Sequence, residues 1–251
     1  MLLLFIYLYI FFVGLILGSF YNVVGLRIPN NESIIHPPSH CPSCNQRLST
    51  AQLIPVFSYI FQKGKCKNCR TNISPIYPFF EALTAGLFVF ALYYIGFDSE
   101  LFIAWTLISL LVIITVSDLN YQLIPDRILL FFVILILILR IGLPLDPWWD
   151  AYAGALLGFG ILLIIAIVSK GGMGGGDIKL FGVLGLVLGI QGVLLTLMLS
   201  ALLGSIVGLM LIATGKVKRG MPMAFGPFIA VAALISYFFA EPILSWYLQL
   251  F

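Results

Sequence analysis

Two aspartates in this sequence stand where acidic side chains are unusual, next to long apolar segments. Asp118 ends one such segment, in ITVSDLNYQLIPD, and Asp177 precedes another, in KGGMGGGDIKL. Ionisable groups beside a lipid bilayer are costly to keep, so each aspartate is a candidate functional residue. A pair of carboxyl groups can activate water, because one takes a proton from the water while the other donates a proton to a scissile carbonyl. The chemistry that this pair predicts is hydrolysis.

A run of glycines precedes the second aspartate. Gly174, Gly175 and Gly176 allow the main chain to approach a substrate strand closely and place Asp177 at the start of the next helix. Non-helical backbone near a membrane must be buried in protein or line a watery cavity, so we predict a substrate-proximal loop here. A phosphate-binding loop is excluded because no G-x-G-x-x-G frame fits. Capping of the following helix remains an alternative role for Asp177, and Asp126 is predicted to be a helix cap.

Four cysteines form two C-x2-C pairs that are separated by 21 residues. The pairs are Cys41 with Cys44 and Cys66 with Cys69. Four thiolates at this spacing predict one tetrahedral zinc ion, and a site with four protein ligands is closed and therefore structural. A redox dithiol is the alternative. His36 and His40 are predicted to be ordinary loop residues, because the ligand set is already complete.

The amino-acid composition indicates what kind of protein carries these aspartates and cysteines. The chain has 251 residues, of which 61% are hydrophobic and 9% charged, and its mean hydropathy is +1.12. No water-soluble domain of this length can bury so much apolar surface, so we predict an all-α polytopic membrane protein with about eight transmembrane helices. The apolar runs lie at roughly 2–25, 77–96, 101–117, 128–143, 150–169, 179–190, 193–214 and 224–250. Glycines at small-xxx-small spacing within 154–208 predict close helix packing.

The positive charges predict the orientation of these helices. With the N-terminus outside, only Arg140 of the 13 lysines and arginines falls outside the cell. The residues that fall inside are Arg27, Arg47, Lys63, Lys65, Lys67, Arg70, Arg127, Lys170, Lys179, Lys216, Lys218 and Arg219. This bias places the cysteine loop in the cytosol, where disulfides are not expected. The charge bias therefore reports membrane topology. No nucleic-acid partner is predicted, because the basic residues are not gathered on one surface with aromatic or groove-reading partners.

The predicted topology brings the two aspartates to one membrane face. Between Asp118 and Asp177 the chain crosses the bilayer twice, so both carboxyl groups end on the cytosolic side at similar depth. An ion or solute transporter would also place carboxyl groups at helix ends, but around a midplane site between repeated halves, and no such repeat is apparent. A non-catalytic zinc-loop scaffold for an assembly machine is a second alternative. It predicts that the carboxyl groups are dispensable.

Six motifs, in order along nearly the whole chain, resemble those of the type IV prepilin peptidases. They are GSFYNVVGLRIP, the two C-x2-C pairs, ISPIYPFFE, SDLNYQLIPD, GMGGGDIKL and AFGPFIA. The resemblance implies a membrane aspartic protease of the G-x-G-D kind in the bacterial cytoplasmic membrane. Such an enzyme cleaves the basic leader from type IV pilin-like precursors at the cytosolic face. Many members also methylate the new N-terminal amine with S-adenosylmethionine.

The resemblance also assigns roles to residues. The catalytic pair falls on Asp118 and Asp177, the metal ligands fall on the four cysteines, and a Gly-Lys linked to methylation falls on Gly64 and Lys65. The partners it implies are pilin-like precursors and the lipid bilayer, with zinc and S-adenosylmethionine as cofactors. The predicted divisions are a first transmembrane span at 1–26, a cytoplasmic four-cysteine zinc loop at 27–76 and a membrane peptidase core at 77–251.

Overall fold

The computed structural model describes residues 1–170, 172–215 and 223–249, and the regular elements in these ranges are all helices. The predicted all-α class is therefore confirmed. Lys216, Lys218 and Arg219, which entered the topology prediction, lie outside the described residues. The helices are α1 (Leu2–Arg27), α2 (Phe57–Phe61), α3 (Ile76–Ile95), α4 (Glu100–Tyr121), α5 (Asp126–Gly142), α6 (Asp150–Val168), α7 (Gly175–Ala213) and α8 (Gly226–Leu248), with a 3-10 turn at Thr50–Leu53.

The long helices fit a multi-pass membrane protein. Among the described residues, six helices are long and apolar enough to cross a bilayer, namely α1, α3, α4, α6, α7 and α8. Helix α5 is apolar as well but has only 17 residues. The predicted spans 179–190 and 193–214 both fall within α7, which has 39 residues. Counting α5 and the two parts of α7 separately gives the eight apolar helical segments that the sequence predicted.

Helix α7 is interrupted at one residue. Gly189 has φ 68° and ψ −171°, which separates a first part, 175–188, from a second part, 190–213. This backbone conformation favours glycine, because a Cβ atom makes positive φ costly. The two parts lie side by side. A Cβ added to Gly158 of α6 would meet the Phe181 carbonyl oxygen of one part and Val193 of the other, both at 2.8 Å. The close glycine packing that the sequence predicted between these segments is thus confirmed.

Two charged side chains bind the backbone groups on either side of the interruption. Buried Arg140, 5% exposed, donates from Nη2 to the Val187 carbonyl oxygen at 2.6 Å. The Asp150 carboxylate accepts from the Ile190 amide at 3.3 Å. Unpaired backbone groups are expensive in lipid, so an interruption in a membrane helix needs such partners. The cation lies at the C-terminus of the first part and the anion at the N-terminus of the second, as the helix dipoles favour.

The chain forms two compact units, Met1–Val116 and Ser117–Phe251. In the first, α1 packs closely on α3, and a Cβ added to Gly14 would lie 2.6 Å from the Ala85 Cα atom. In the second, α7 packs on α5, α6 and α8. The cysteine loop belongs to the first unit. The last turn of α4, which carries the first aspartate, belongs to the second.

Replacing Arg140 by leucine should destabilise the second unit. The Val187 carbonyl would lose a charged donor in an apolar environment, and such a loss costs about 1–3 kcal/mol. Thermal unfolding of the purified protein in detergent would measure the effect. Arg127→Leu is the matched control, since Arg127 is exposed in the first turn of the same helix. Equal unfolding temperatures for the two variants would contradict this account of the interruption.

Candidate active site and metal centre

The first aspartate is held by the start of another helix. Asp118 is 6% exposed, and its Oδ2 atom accepts a hydrogen bond of 2.7 Å from the amide of Gly226, the first residue of α8. The Phe225 amide donates to the same carboxyl group. Amides at a helix N-terminus have no partner within the helix, so they are available to an acidic side chain. A Cβ added to Gly226 would lie 2.9 Å from Oδ2, so glycine is what lets α8 begin against this carboxyl group.

The second aspartate lies in the first turn of α7. Asp177 is half-buried, and its carboxyl group accepts a hydrogen bond from the amide of Gly174, the N-cap residue. Asp177 is therefore not the N-cap itself but bonds the N-cap amide from the third helical position. The carboxyl groups of Asp177 and Asp118 interact electrostatically. The structure thus brings the predicted pair together.

The glycines before Asp177 are mostly helical. Only Gly174 has an extended backbone, whereas Gly175 and Gly176 belong to α7, so the predicted loop is wrong for these two. Gly176 packs tightly, and a Cβ there would lie 2.7 Å from the Ile124 Cβ atom, so glycine allows this close approach. A Cβ added to Gly175 would meet no atom within 4 Å. Open space therefore adjoins the backbone beside Asp177, and the proximity of substrate to these glycines stays a prediction.

Asp126 does not cap its helix. It is the first residue of α5, the N-cap is Pro125, and no side chain bonds to the end of that helix. Both carboxylate oxygens of Asp126 instead lie 2.7 Å from Nζ of Lys179. The predicted cap is wrong because Pro125 occupies the N-cap position, and the Asp126 carboxylate, at the first helical position, pairs with this lysine, two residues after Asp177. Both side chains are exposed, so the pair contributes at most about 1 kcal/mol.

The four cysteines come together as predicted. Their Sγ atoms all lie within 4.8 Å of one another, no disulfide joins them, and those of Cys41 and Cys69 are 3.7 Å apart. A tetrahedral zinc ion with Zn–S bonds of about 2.3 Å would separate its sulfur ligands by about 3.8 Å. The cluster can therefore hold a metal ion of this kind. His40 contacts the Pro38 carbonyl oxygen instead and does not belong to the cluster.

The two cysteine pairs are built alike. In the first, the Cys41 amide donates to the Gln46 carbonyl at 3.0 Å, and in the second the Cys66 amide donates to the Thr71 carbonyl at 2.9 Å. The residue after each pair has positive φ: Asn45 (54°) and Arg70 (62°). CPSCNQR and CKNCRTN are therefore two copies of one turn. Sequence reasoning missed this repeat, although the matching C-x2-C-x3 spacing was its signal.

Hydrogen-bond donors around the sulfur atoms favour the thiolate form that metals bind. The Thr71 hydroxyl lies 3.2 Å from Sγ of Cys69, and hydrogen bonds from its hydroxyl and its amide lower the pKa of this thiol to about 6. The Asn68 side-chain amide donates to Sγ of Cys44 at 3.6 Å. Such contacts orient metal ligands and raise their thiolate fraction at neutral pH.

The Gly-Lys pair before the third cysteine has a structural explanation. Gly64 has φ 68° and is buried, and a Cβ there would lie 2.9 Å from the Tyr59 hydroxyl oxygen. Glycine is therefore needed both for the turn and for the position of the tyrosine ring. Lys65 is exposed. The structure thus places Gly64 against the Tyr59 side chain. Binding of a cofactor by Gly64 or Lys65 stays a prediction.

Known proteins match both parts of the chain. Residues 12–95 match the bacterial peptidase A24 N-terminal domain, and residues 105–209 match the type IV leader peptidase family. The chain is 44% identical over 241 residues to a Bacillus subtilis (strain 168) protein named prepilin leader peptidase/N-methyltransferase, covering 96% of this chain and 97% of that protein. The chain belongs to the type IV leader peptidase family. No solved structure matches it.

More distant members of the type IV leader peptidase family also align with nearly the whole chain. Proteins with the same name from Aeromonas salmonicida (strain A449) and Pseudomonas aeruginosa are each 32% identical to it. The alignments cover 96% and 94% of this chain and 93% and 91% of those proteins. The resemblance that the six motifs carried is therefore confirmed. Both aspartates fall in the stretch that matches the leader peptidase family, and all four cysteines fall in the stretch that matches the N-terminal domain.

The cysteine cluster predicts a measurable metal content. The purified protein should carry about one zinc ion per chain, and the double variant Cys66→Ser, Cys69→Ser should carry none, because two ligands cannot complete a tetrahedral site. Elemental analysis by mass spectrometry would measure this. His40→Ala is the control and should retain the metal. Metal at the unmutated level in the double variant would exclude the cluster as its site.

Proposed function

We propose that this chain is a membrane aspartic endopeptidase that removes the basic leader of type IV pilin-like precursors. The observation that carries the proposal is the pair of interacting carboxyl groups, Asp118 and Asp177. Each is oriented by a backbone amide at the start of a helix, from Gly226 and Gly174 respectively. The name of the Bacillus subtilis relative, prepilin leader peptidase/N-methyltransferase, supports the substrate class. Transport of ions or solutes is not favoured by these relatives.

The pair performs hydrolysis by dividing two proton transfers. Like charges held close cannot both ionise readily, so the pair shares one proton. One carboxylate accepts a proton from water, whose oxygen forms a bond to the carbonyl carbon of the scissile peptide. The other carboxyl group donates its proton to the carbonyl oxygen. The carbon–nitrogen bond then breaks: the leaving amine takes a proton from the carboxyl group that had accepted one from water, and a hydroxyl of the tetrahedral intermediate returns a proton to the other carboxylate, which restores the pair. The backbone amides supply the fixed orientation that such transfers need.

The location of the pair suits a substrate that lies partly in lipid. Both carboxyl groups stand at ends of apolar helices, and the charge bias predicts that these ends face the cytosol in the bacterial cytoplasmic membrane. A precursor whose apolar helix lies in the bilayer presents its basic leader at this face. Cleavage then falls at the junction between leader and helix. The open space beside Gly175 leaves backbone accessible next to Asp177.

A second activity is N-methylation of the new N-terminal amine. Its support is the shared name of the relatives and the match of residues 12–95 to the N-terminal domain. S-adenosylmethionine supplies a methyl group on a sulfonium: the amine nitrogen bonds the methyl carbon, the carbon–sulfur bond breaks, and the nitrogen releases a proton. The residues that fold around the metal ion prepare the loop for this step, and zinc contributes folding energy rather than chemistry.

Asp118→Asn and Asp177→Asn should each abolish precursor cleavage. Neither residue of the pair can perform both proton transfers alone, so the rate should fall by a factor on the order of 10³ or more. Cleavage of a purified precursor, followed by mass spectrometry, would measure it. Asp126→Asn is the matched control, because this carboxylate is exposed and, among the residues that the structure describes, pairs only with Lys179. Full cleavage by either of the first two variants would refute the mechanism, as would equal loss in the control.

The double variant Cys66→Ser, Cys69→Ser should separate the two activities. Loss of metal unfolds the loop, since folding energy on the order of 10 kcal/mol comes from the ion in small zinc sites. We expect mature product without the N-terminal methyl group, because neither catalytic aspartate lies in the loop. Mass spectrometry of the product N-terminus would show whether the methyl group is present. Methylated product from the metal-free variant would show that the loop is not needed for methyl transfer. Unmethylated product from the unmutated protein would show that this chain is a peptidase without methyltransferase activity.

A further inference from the structure

A cavity of about 450 Å³ lies within the first unit, between α1, the cysteine loop and the start of α3. Its walls are largely apolar and aromatic and include Tyr59, Tyr77 and Ile73. The ligand cysteines Cys41 and Cys66 also line it, so the metal-held loop forms one wall. A cavity of several hundred cubic ångströms with a few convergent polar groups is typical of a small-molecule site.

Within the described part of the chain, one buried polar atom in this cavity has no hydrogen-bond partner. Asn22 of α1 is 3% exposed, and its Nδ2 atom donates to the Tyr77 carbonyl oxygen at 3.2 Å. Its Oδ1 atom is buried, and within the described residues it accepts no hydrogen bond. Buried acceptors are normally satisfied, so an orphan that lines a cavity points to a donor that a ligand brings.

A carboxylate lines the same cavity. Glu81 of α3 is 8% exposed, and its Oε2 atom accepts from the Val56 amide at 2.6 Å. The Ser19 hydroxyl also bonds this carboxyl group. Among the described residues Glu81 forms no ion pair with a lysine or arginine, and Arg27, which also lines the cavity, donates to the Ser33 carbonyl oxygen instead. Buried carboxylates are costly without a compensating cation. A ligand that brings a positive charge and N–H donors would compensate this carboxylate and satisfy the Asn22 acceptor.

We propose that this cavity binds a ligand with a primary ammonium group, held by the Glu81 carboxylate and Oδ1 of Asn22. The ammonium belongs to the amino-acid end of S-adenosylmethionine or to the new N-terminus of the cleaved substrate. This inference rests on the proposed methyl transfer and gives it a location. It also explains the need for a metal: loss of the ion removes the cavity wall that Cys41 and Cys66 form.

Two variants test the ammonium site in the full-length protein in detergent. Glu81→Gln removes the charge but keeps an acceptor for the Val56 amide, and Asn22→Leu removes the orphan acceptor at similar size. S-adenosylhomocysteine is the probe, and its affinity is measured by calorimetry. If the donor supplies the ammonium, each variant should bind the probe about tenfold or more weakly. Glu32→Gln, an exposed acid, and Ser236→Ala, a buried hydroxyl in α8 that also lacks a partner, should bind it normally.

Methylation kinetics distinguish the two sources of the ammonium. A raised KM for S-adenosylmethionine, with weaker probe binding, assigns the group to the methyl donor. A raised KM for the mature peptide, with unchanged probe binding, assigns it to the substrate N-terminus. Leader cleavage should be unchanged in both variants. Without ligand, Asn22→Leu should unfold at nearly the temperature of the unmutated protein, because loss of the hydrogen bond to the Tyr77 carbonyl is offset by removal of an unpaired buried acceptor. If Asn22 only supported the fold, the variant would unfold at a clearly lower temperature and the loss of methylation would follow from instability.

The results that overturn the inference differ from those that overturn the proposed function. Normal probe binding and normal methylation by both variants, with an active unmutated protein, would remove the ammonium site alone. If the unmutated protein neither methylates nor binds the probe, the inference and the second activity fail together, while cleavage still tests the peptidase. If Asn22→Leu unfolds at a lower temperature than the unmutated protein, the affinity of Glu81→Gln for the probe decides the question. This second variant retains the hydrogen bond from the Val56 amide.

Discussion

A carboxyl group buried among apolar helices must obtain hydrogen bonds from the backbone, and in this protein the start of α8 provides them. The bond of 2.7 Å from the Gly226 amide to Asp118 joins positions 108 residues apart. It orients one acid of the pair, and it requires glycine at the first residue of α8. The amide of Gly174 serves Asp177 in the same way. Helix N-termini thus do the positioning that side-chain networks perform in many water-soluble enzymes.

The same constraint governs the polar groups elsewhere in the second unit. Arg140 and Asp150 bind the backbone on the two sides of Gly189, so the interruption of α7 leaves few groups unpaired. In the first unit, two buried polar side chains are not fully paired. Among the described residues, Oδ1 of Asn22 has no hydrogen-bond partner and the Glu81 carboxyl group has no cationic partner, and both line one cavity. Ser236 in the second unit also lacks a partner among the described residues, so the shared cavity, and not an unpaired atom alone, marks Asn22 and Glu81 as the proposed ligand site.

Much of the fold and both clusters were predictable from the sequence. Apolar segments of bilayer length have few alternatives to helices, and cysteine spacing alone specifies a four-thiolate cluster. Contacts between distant segments were not predictable. Asp126 was expected to cap a helix, but it binds Lys179, which α7 brings to it. Gly176 was expected in a loop, but it lies in the first turn of α7 and packs against Ile124. Asn22 and Glu81 stood within quoted motifs, yet only the shape of the cavity distinguishes them from packing residues.

The interruption at Gly189 also determines how often the chain crosses the bilayer. A straight helix of 39 residues would be about 58 Å long at 1.5 Å per residue, nearly twice the hydrocarbon thickness of about 30 Å. Folded back on itself, α7 has a second part, 190–213, long enough to span the bilayer and a first part, 175–188, that is shorter, at about 21 Å. Both ends of α7 then emerge on the side where α7 begins, which is also the side of Asp177. The backbone conformation of a single glycine therefore sets the membrane face from which α8 starts, and with it the face at which Gly226 can meet Asp118.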